Sequence, residues 1–195
     1  FIFSNFELIK FALKMPINKV VIHDKTPFLF PKNKYDVSNI SSTKKNVILI
    51  PGASHVSKRY PPEKFVEITK LIDANFLVIW GNKKEESLAR KIKGTAKNIT
   101  ICDKVQLDSL ILLISKVDLV IGPDTGPTHV AWALNVPSIT LFGPTPGYRN
   151  SYKTSSNRYI ESKTKVNPNK INKDDYSIKD INIHEILKIA RELLE

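Results

Sequence analysis

Asp118-Leu-Val-Ile-Gly122 runs directly into Pro123-Asp-Thr-Gly-Pro-Thr-His129, and the apolar run Ser138-Ile-Thr-Leu-Phe142 follows shortly after. Two short apolar runs flank a segment that opens on turn residues and continues as a short helix. That is the signature of a buried strand, a helix and a second buried strand. The same alternation extends toward the N-terminus. Strands are predicted over 47–50, 76–80 and 99–102. A helix over 62–74 places Phe65, Ile68, Leu71 and Ile72 on one face, with Pro62 in its first turn. Another over 85–93 buries Leu88, Ala89 and Ile92, and a third is marked by Leu107, Leu110, Ile111 and Ile114. Strands apolar throughout, separated by amphipathic helices, imply a parallel sheet covered on both faces. The fold class is therefore α/β, a Rossmann-like doubly wound parallel sheet.

In such sheets ligands sit beyond the carboxyl ends of the strands, so the loops after residues 50, 80, 102, 122 and 142 converge on one rim. The first carries Gly52, Ser54, Ser57 and Lys58, with the lysine read as a mobile cation suited to phosphate. The second places Glu85 at a helix start, where a carboxylate either complements the helix dipole or accepts hydrogen bonds from ribose hydroxyls. The third offers Val105 as an apolar wall for a base or as a hydrophobic staple. In the fourth, Asp124 or Thr125 can cap the next helix. Gly126 lets a phosphate approach the main chain at that helix's N-terminus, and His129 lies one turn further on. The fifth is a glycine-flanked turn with Thr145, Tyr148 and Arg149, read as structural.

The flanks differ from the centre. Residues 16–45 contain a possible strand over 19–22 and a linker-like polar run, 38–45. Residues 151–177 read as a long loop, and 183–194 as a closing amphipathic helix. The chain begins with Phe1, and its first fifteen residues lack the clean apolar centre of a signal peptide, so it reads as a piece of something longer. The net charge is +11 over 195 residues, with +5 in residues 1–45 and +3 in residues 151–175. That excess suits a polyanionic partner, or solvated lysines alone.

Several chemistries are poorly supported. The sequence has no GxGxxG after a strand, no GxxxxGK[ST] and no GxSxG. Its single cysteine, Cys102, excludes an internal disulfide framework and a multi-cysteine zinc site and fits a reducing, cytosolic compartment. His23, His55, His129 and His184 lack metal-ligand spacing, so no metal is expected. No apolar run reaches the length of a membrane span.

The ordered set Ile50-Pro-Gly-Ala-Ser54, Lys58-Arg-Tyr-Pro61, Trp80-Gly81 with Glu85, Asp124-Thr-Gly-Pro-Thr-His129 and Leu141-Phe-Gly-Pro-Thr145 resembles the C-terminal half of the lipopolysaccharide heptosyltransferases. These are the ADP-heptose-using enzymes of glycosyltransferase family nine. The Pro-Gly-Tyr-Arg ending at residue 149 is most like the heptosyltransferase I branch. The sequence departs from the family in having Ala53-Ser54 where a threonine pair is often found, and Tyr60 in place of a tryptophan.

The resemblance implies a GT-B arrangement of two Rossmann-like domains. Residues 1–45 would be the end of the N-terminal domain or the interdomain link, residues 46–178 the nucleotide-sugar-binding domain, and residues 179–195 its closing helix. It implies inverting transfer of heptose from ADP-heptose to Kdo-lipid A, with no cofactor besides the donor. Ser54 and Lys58 would contact the diphosphate and the transferred sugar, Glu85 the ribose, and Val105 the adenine. Asp124, Thr125, Gly126 and His129 would hold phosphates and sugar hydroxyls. Lys58 and Asp124 would take part in catalysis, and the general base would lie in the N-terminal domain. The implied setting is the cytoplasmic side of a Gram-negative inner membrane, held there peripherally by anionic lipid A, with no nucleic-acid partner. Two alternatives are an enzyme of the nucleotide-sugar epimerase type and a non-enzymatic basic module binding nucleotides or nucleic acid.

Overall fold

The computed structural model describes residues 25–31 and 36–195. The expected strand over 19–22, His23 and several lysines of the basic N-terminal flank lie outside the described residues. The sheet has six parallel strands: β1 (Asn46–Leu49), β2 (Asn75–Val78), β3 (Ile99–Ile101), β4 (Leu119–Pro123), β5 (Ser138–Phe142) and β6 (Asn157–Glu161). Their order is β3-β2-β1-β4-β5-β6. Between them run helices α1 (Pro62–Leu71), α2 (Lys83–Lys93), α3 (Leu107–Ile114), α4 (Gly126–Ala133) and the single turn α5 (Gly147–Asn150), and α6 (Ile183–Leu194) closes the chain.

Successive strand side chains point to opposite faces, and here both faces are dry. Val47 and Leu49 of β1 enter one core cluster with Phe65 and Ile68 of α1, Ile92 of α2 and Ile186 and Leu187 of α6. Ile48 enters the other, with Leu113 and Ile114 of α3 and Ala131 of α4. All four residues of β1 and all five of β4 and β5 are buried, which is why these runs carry no charged residue and few polar ones.

Chain direction reverses its march across the sheet between β1 and β4, which pair through Ile48 and Val120. Crossovers diverge at such a junction and leave a crevice at the strand ends. The backbones approach closely there: a Cβ on Gly122 would lie 2.6 Å from Cβ of Ile50.

One expectation is corrected. Residues 151–177 are not a long loop: β6 lies within them, in register with β5 from Ser138↔Asn157 to Phe142↔Glu161. Its sequence, Asn157-Arg-Tyr-Ile-Glu161, carries no apolar run because it is an edge strand. Its buried first residue is an asparagine, whose amide donates to the Val136 carbonyl at 2.8 Å and to Ser138 Oγ at 3.0 Å.

Residues 25–30 lie against the end of α4. Phe28 N–H donates to the Ala133 carbonyl at 3.2 Å, and the Asn135 amide donates to the Lys25 carbonyl at 2.6 Å. Asn135 takes a left-handed conformation (φ 58°) just past the helix, a role asparagine tolerates better than most residues.

Candidate functional site

A cleft of about 390 Å³ opens at the carboxyl ends of β1, β2 and β4, at the reversal point of the strand order. It is lined by apolar side chains, Ile50, Ile79, Val105 and Leu110, by Glu85 and Trp80, and by Ser54, Asp124 and the entrance to α4, Thr125-Gly126-Pro127. The structure thus brings six of the sequence-predicted residues, Ser54, Glu85, Val105, Asp124, Thr125 and Gly126, to one cleft. Lys58 and His129 are attached to it through Asp124.

The first rim loop folds into a 3-10 turn, Val56–Lys58, that buries Ser57 and Lys58. The Arg59 guanidinium donates back to the Ala53 carbonyl at 3.2 Å and holds the loop on itself. Ser54 is left exposed on the cleft wall, whereas the Ser57 hydroxyl is buried without a hydrogen-bond partner. Lys58 is not the mobile cation expected: its side chain is 10% exposed, and Nζ donates to Asp124 Oδ2 at 2.8 Å. A buried ammonium requires a counter-charge, and β4 delivers Asp124 to it.

Asp124 is the hub of the site. It also accepts from Thr145 Oγ1 at 3.2 Å and from the Asn150 amide at 3.1 Å, both on Oδ2. His129 Nε2 lies 3.1 Å from Oδ1. Burial alone would raise this carboxyl. Hydrogen bonds from His129, Lys58 and Asn150 and the charge of Lys58 outweigh that, holding it well below the usual carboxylate range. Asp124 is therefore an ionised anchor and not a proton acceptor near neutral pH. Its side chain is 6% exposed while that of His129 is 47% exposed, so the imidazole presents this charge network to solvent.

The cap of α4 falls to Thr125, one of the two candidates. Its backbone is extended (φ −147°, ψ 168°), and its N–H donates to Thr128 Oγ1 at 3.3 Å. Asp124, released from capping, points to Lys58. Gly126 lies at the first helical position, and a Cβ added there would meet no atom within 4 Å. At α2 the cap is Asn82, whose Oδ1 accepts from the N–H groups of Lys84 (3.0 Å) and Glu85 (3.1 Å). Glu85 bends back so that Oε2 accepts from Gly81 N–H at 2.8 Å. Its carboxylate lies over Gly52, where a Cβ would come within 2.4 Å of it. Gly52 is the space in which Glu85 sits.

Sequence reasoning missed Thr145 and Asn150 as members of the hub, and Leu110 and Trp80 as walls. The signal for the first pair was present, two polar side chains in a glycine-flanked rim turn. Nothing in the sequence aims them at Asp124. Among the described residues no group of three or more His, Cys, Asp and Glu side chains could hold a metal ion.

Residues 5–176 match the model of Glycosyltransferase family 9 (heptosyltransferase). The chain is 40% identical over 164 residues to lipopolysaccharide heptosyltransferase 1 of Campylobacter coli, an alignment covering 79% of this chain and 48% of that protein. Among solved structures, E. coli ADP-heptose lps heptosyltransferase II superimposes with a TM-score of 0.66 at 22% identity, over 94% of this chain and 56% of that one. E. coli heptosyltransferase WaaC with ADP gives 0.65 at 18% identity, over 80% and 47%. The chain thus spans about half the length of the relatives it matches. A family match over most of its residues, on the same parallel sheet, shows that this chain belongs to glycosyltransferase family 9.

Proposed function

We propose that this chain is the donor-binding half of an inverting heptosyltransferase that takes heptose from ADP-heptose and delivers it to the Kdo-lipid A region of lipopolysaccharide. The observation that carries the reading is the cleft itself. Apolar side chains, Val105 and Leu110, a carboxylate, Glu85, and a helix entrance bordered by Asp124 line the same cleft. Together these surfaces suit a base, a ribose and a diphosphate-sugar. Glu85 already accepts from Gly81 N–H, and its free acceptor capacity suits ribose hydroxyls. The α4 entrance, with Gly126 bare, suits phosphate oxygens. Ser54 stands across from it.

In the transfer step the acceptor hydroxyl attacks the anomeric carbon from the face opposite the diphosphate. The carbon–oxygen bond to the β-phosphate breaks, and ADP departs carrying the electron pair. Negative charge grows on the leaving diphosphate, so fixed donors aimed there lower the barrier. The Gly126 N–H at the α4 entrance is suited to this role, Thr125 being engaged in the cap and Pro127 having no N–H, and the Lys58 ammonium beside Asp124 adds positive charge. His129, half-exposed and 3.1 Å from Asp124 Oδ1, would join them when the donor is bound. Because its donors hold Asp124 well below the usual carboxylate range, it is a weak base, and deprotonation of the acceptor would fall to a carboxylate of the N-terminal domain. Residues 1–45 would end that domain or link to it, residues 46–178 would form the donor domain, and residues 179–195 would close it.

Localisation follows from the proposed acceptor. Lipid A is anionic, and the excess lysines of residues 1–45 and 151–175 would hold the enzyme on the cytoplasmic face of the inner membrane. Among the described residues no helix is long and apolar enough to cross a membrane.

The family match favours a transferase over the epimerase-like alternative. Calorimetry with ADP, UDP and a short oligonucleotide tests the reading. Binding of ADP in clear preference to UDP is expected. Equal binding of both nucleotides, or salt-sensitive binding of the oligonucleotide alone, would replace it with one of the alternatives.

A further inference from the structure

Lys58, Thr145 and Asn150 all donate to the same oxygen of Asp124, Oδ2, at 2.8, 3.2 and 3.1 Å. A carboxylate oxygen has two lone pairs, so Oδ2 has no capacity left. Oδ1 has a different environment: its one partner among the described residues is the half-exposed His129 ring. Oδ1 therefore keeps acceptor capacity, on a residue that lines the cleft. A negatively charged oxygen repels phosphate and attracts the hydroxyl of a sugar.

Thr145 and Asn150 are placed for this by elements remote from the cleft. Thr145 is 3% exposed and follows directly from β5. Asn150 ends α5, and α5 is fixed from beneath by β6, where Glu161 Oε1 accepts from Gly147 N–H at 2.7 Å. The edge strand thus supports the turn that grips Asp124.

We propose that Thr145 and Asn150 are positioning residues of the donor site, which lock the Asp124 carboxylate by Oδ2 and so present Oδ1 to a hydroxyl of the transferred sugar. The proposal rests on the nucleotide-sugar reading and extends it to residues that never touch the ligand. Without these two donors Lys58 alone holds Oδ2, the carboxylate is freer to turn about χ2, and the oxygen offered to the sugar is less sharply fixed.

The test is calorimetry on the whole chain with two probes, ADP and ADP-heptose. Thr145→Val and Asn150→Ala should each weaken ADP-heptose roughly tenfold, the scale of one well-placed hydrogen bond to a charged group, and leave ADP within about twofold. Thr145→Ser, which restores the hydroxyl, should recover the loss. In an Asp124→Asn background Thr145→Val should add nothing further, since the carboxylate it steers is gone. Equal losses for both probes would overturn the proposal, because a loosened fold affects both alike. So would a Thr145→Val effect undiminished in the Asp124→Asn background. If the unaltered chain binds neither probe, the nucleotide-sugar reading falls and the proposal falls with it. If it binds ADP and the variants bind ADP-heptose normally, the positioning role alone is wrong.

Discussion

Asp124 and Lys58 form a buried ion pair, and a pair of this kind is costly to break from one side. Lys58→Ala leaves a carboxylate 6% exposed with its counter-charge removed. The expected loss is about 3 kcal/mol of stability, read from urea unfolding. Lys58 therefore supports the fold as well as any chemistry, and a loss of turnover in this variant needs its stability measured alongside. The same carboxylate sets a pH dependence. Its folded value is depressed, so its contribution is complete above the unfolded carboxyl value near 4 and is lost as pH falls through the lower folded value. Urea midpoints from pH 7 down to pH 3 should fall more steeply for the unaltered chain than for Asp124→Asn. Much of this site was legible in the sequence: Asp124, Thr125, Gly126 and His129 were conspicuous as a dense polar turn after an apolar strand. The state of Lys58 was not, because burial of a lysine depends on a partner 66 positions away, and no local pattern encodes that distance.

Elements were read from periodicity, and the reading succeeded where burial is two-sided. β1, β4 and β5 are buried throughout and mostly apolar because both of their faces are covered. β6 escaped detection because an edge strand needs fewer apolar side chains, and its buried Asn157 satisfies itself on neighbouring backbone. The same principle explains why strand limits moved by a residue or two. Ile79 and Trp80 continue the apolar run past the end of β2 and line the cleft; Ile79 N–H still donates to the Leu49 carbonyl at 3.2 Å, and the Trp80 indole donates to the Cys102 carbonyl at 2.8 Å. The closeness of β1 to β4 yields a prediction at this scale. Gly122→Ala places a methyl against Ile50 at 2.6 Å, and in a fully packed sheet this should cost about 1–3 kcal/mol. Thermal unfolding would register it, and a neutral result would mean that the two strands can separate freely at the reversal point.

For the molecule as a whole, the sequence places charge where the sheet does not need it. Of the net +11, residues 1–45 and 151–175 hold eight, and the sheet strands hold almost none. Near an anionic bilayer each lysine close to the surface contributes about 1 kcal/mol. Sedimentation with vesicles containing anionic lipid should retain the chain at low salt and release it at high salt. No retention at low salt would separate the basic flanks from any membrane role. The chain spans 48% of the Campylobacter relative's length. Under the proposed division of labour it should bind the donor and turn over nothing by itself.

The claim on which the account depends is that the cleft at the β1–β4 junction holds a nucleotide diphosphate against the entrance of α4. Gly126 gives the most direct access to it, because it lines the cleft at the start of α4 and a Cβ there meets no protein atom within 4 Å. ADP affinity and melting temperature should be measured together for Gly126→Val. The account predicts a loss of affinity of at least about tenfold, 1.4 kcal/mol, with the melting temperature unchanged. ADP bound as tightly as by the unaltered chain would contradict it.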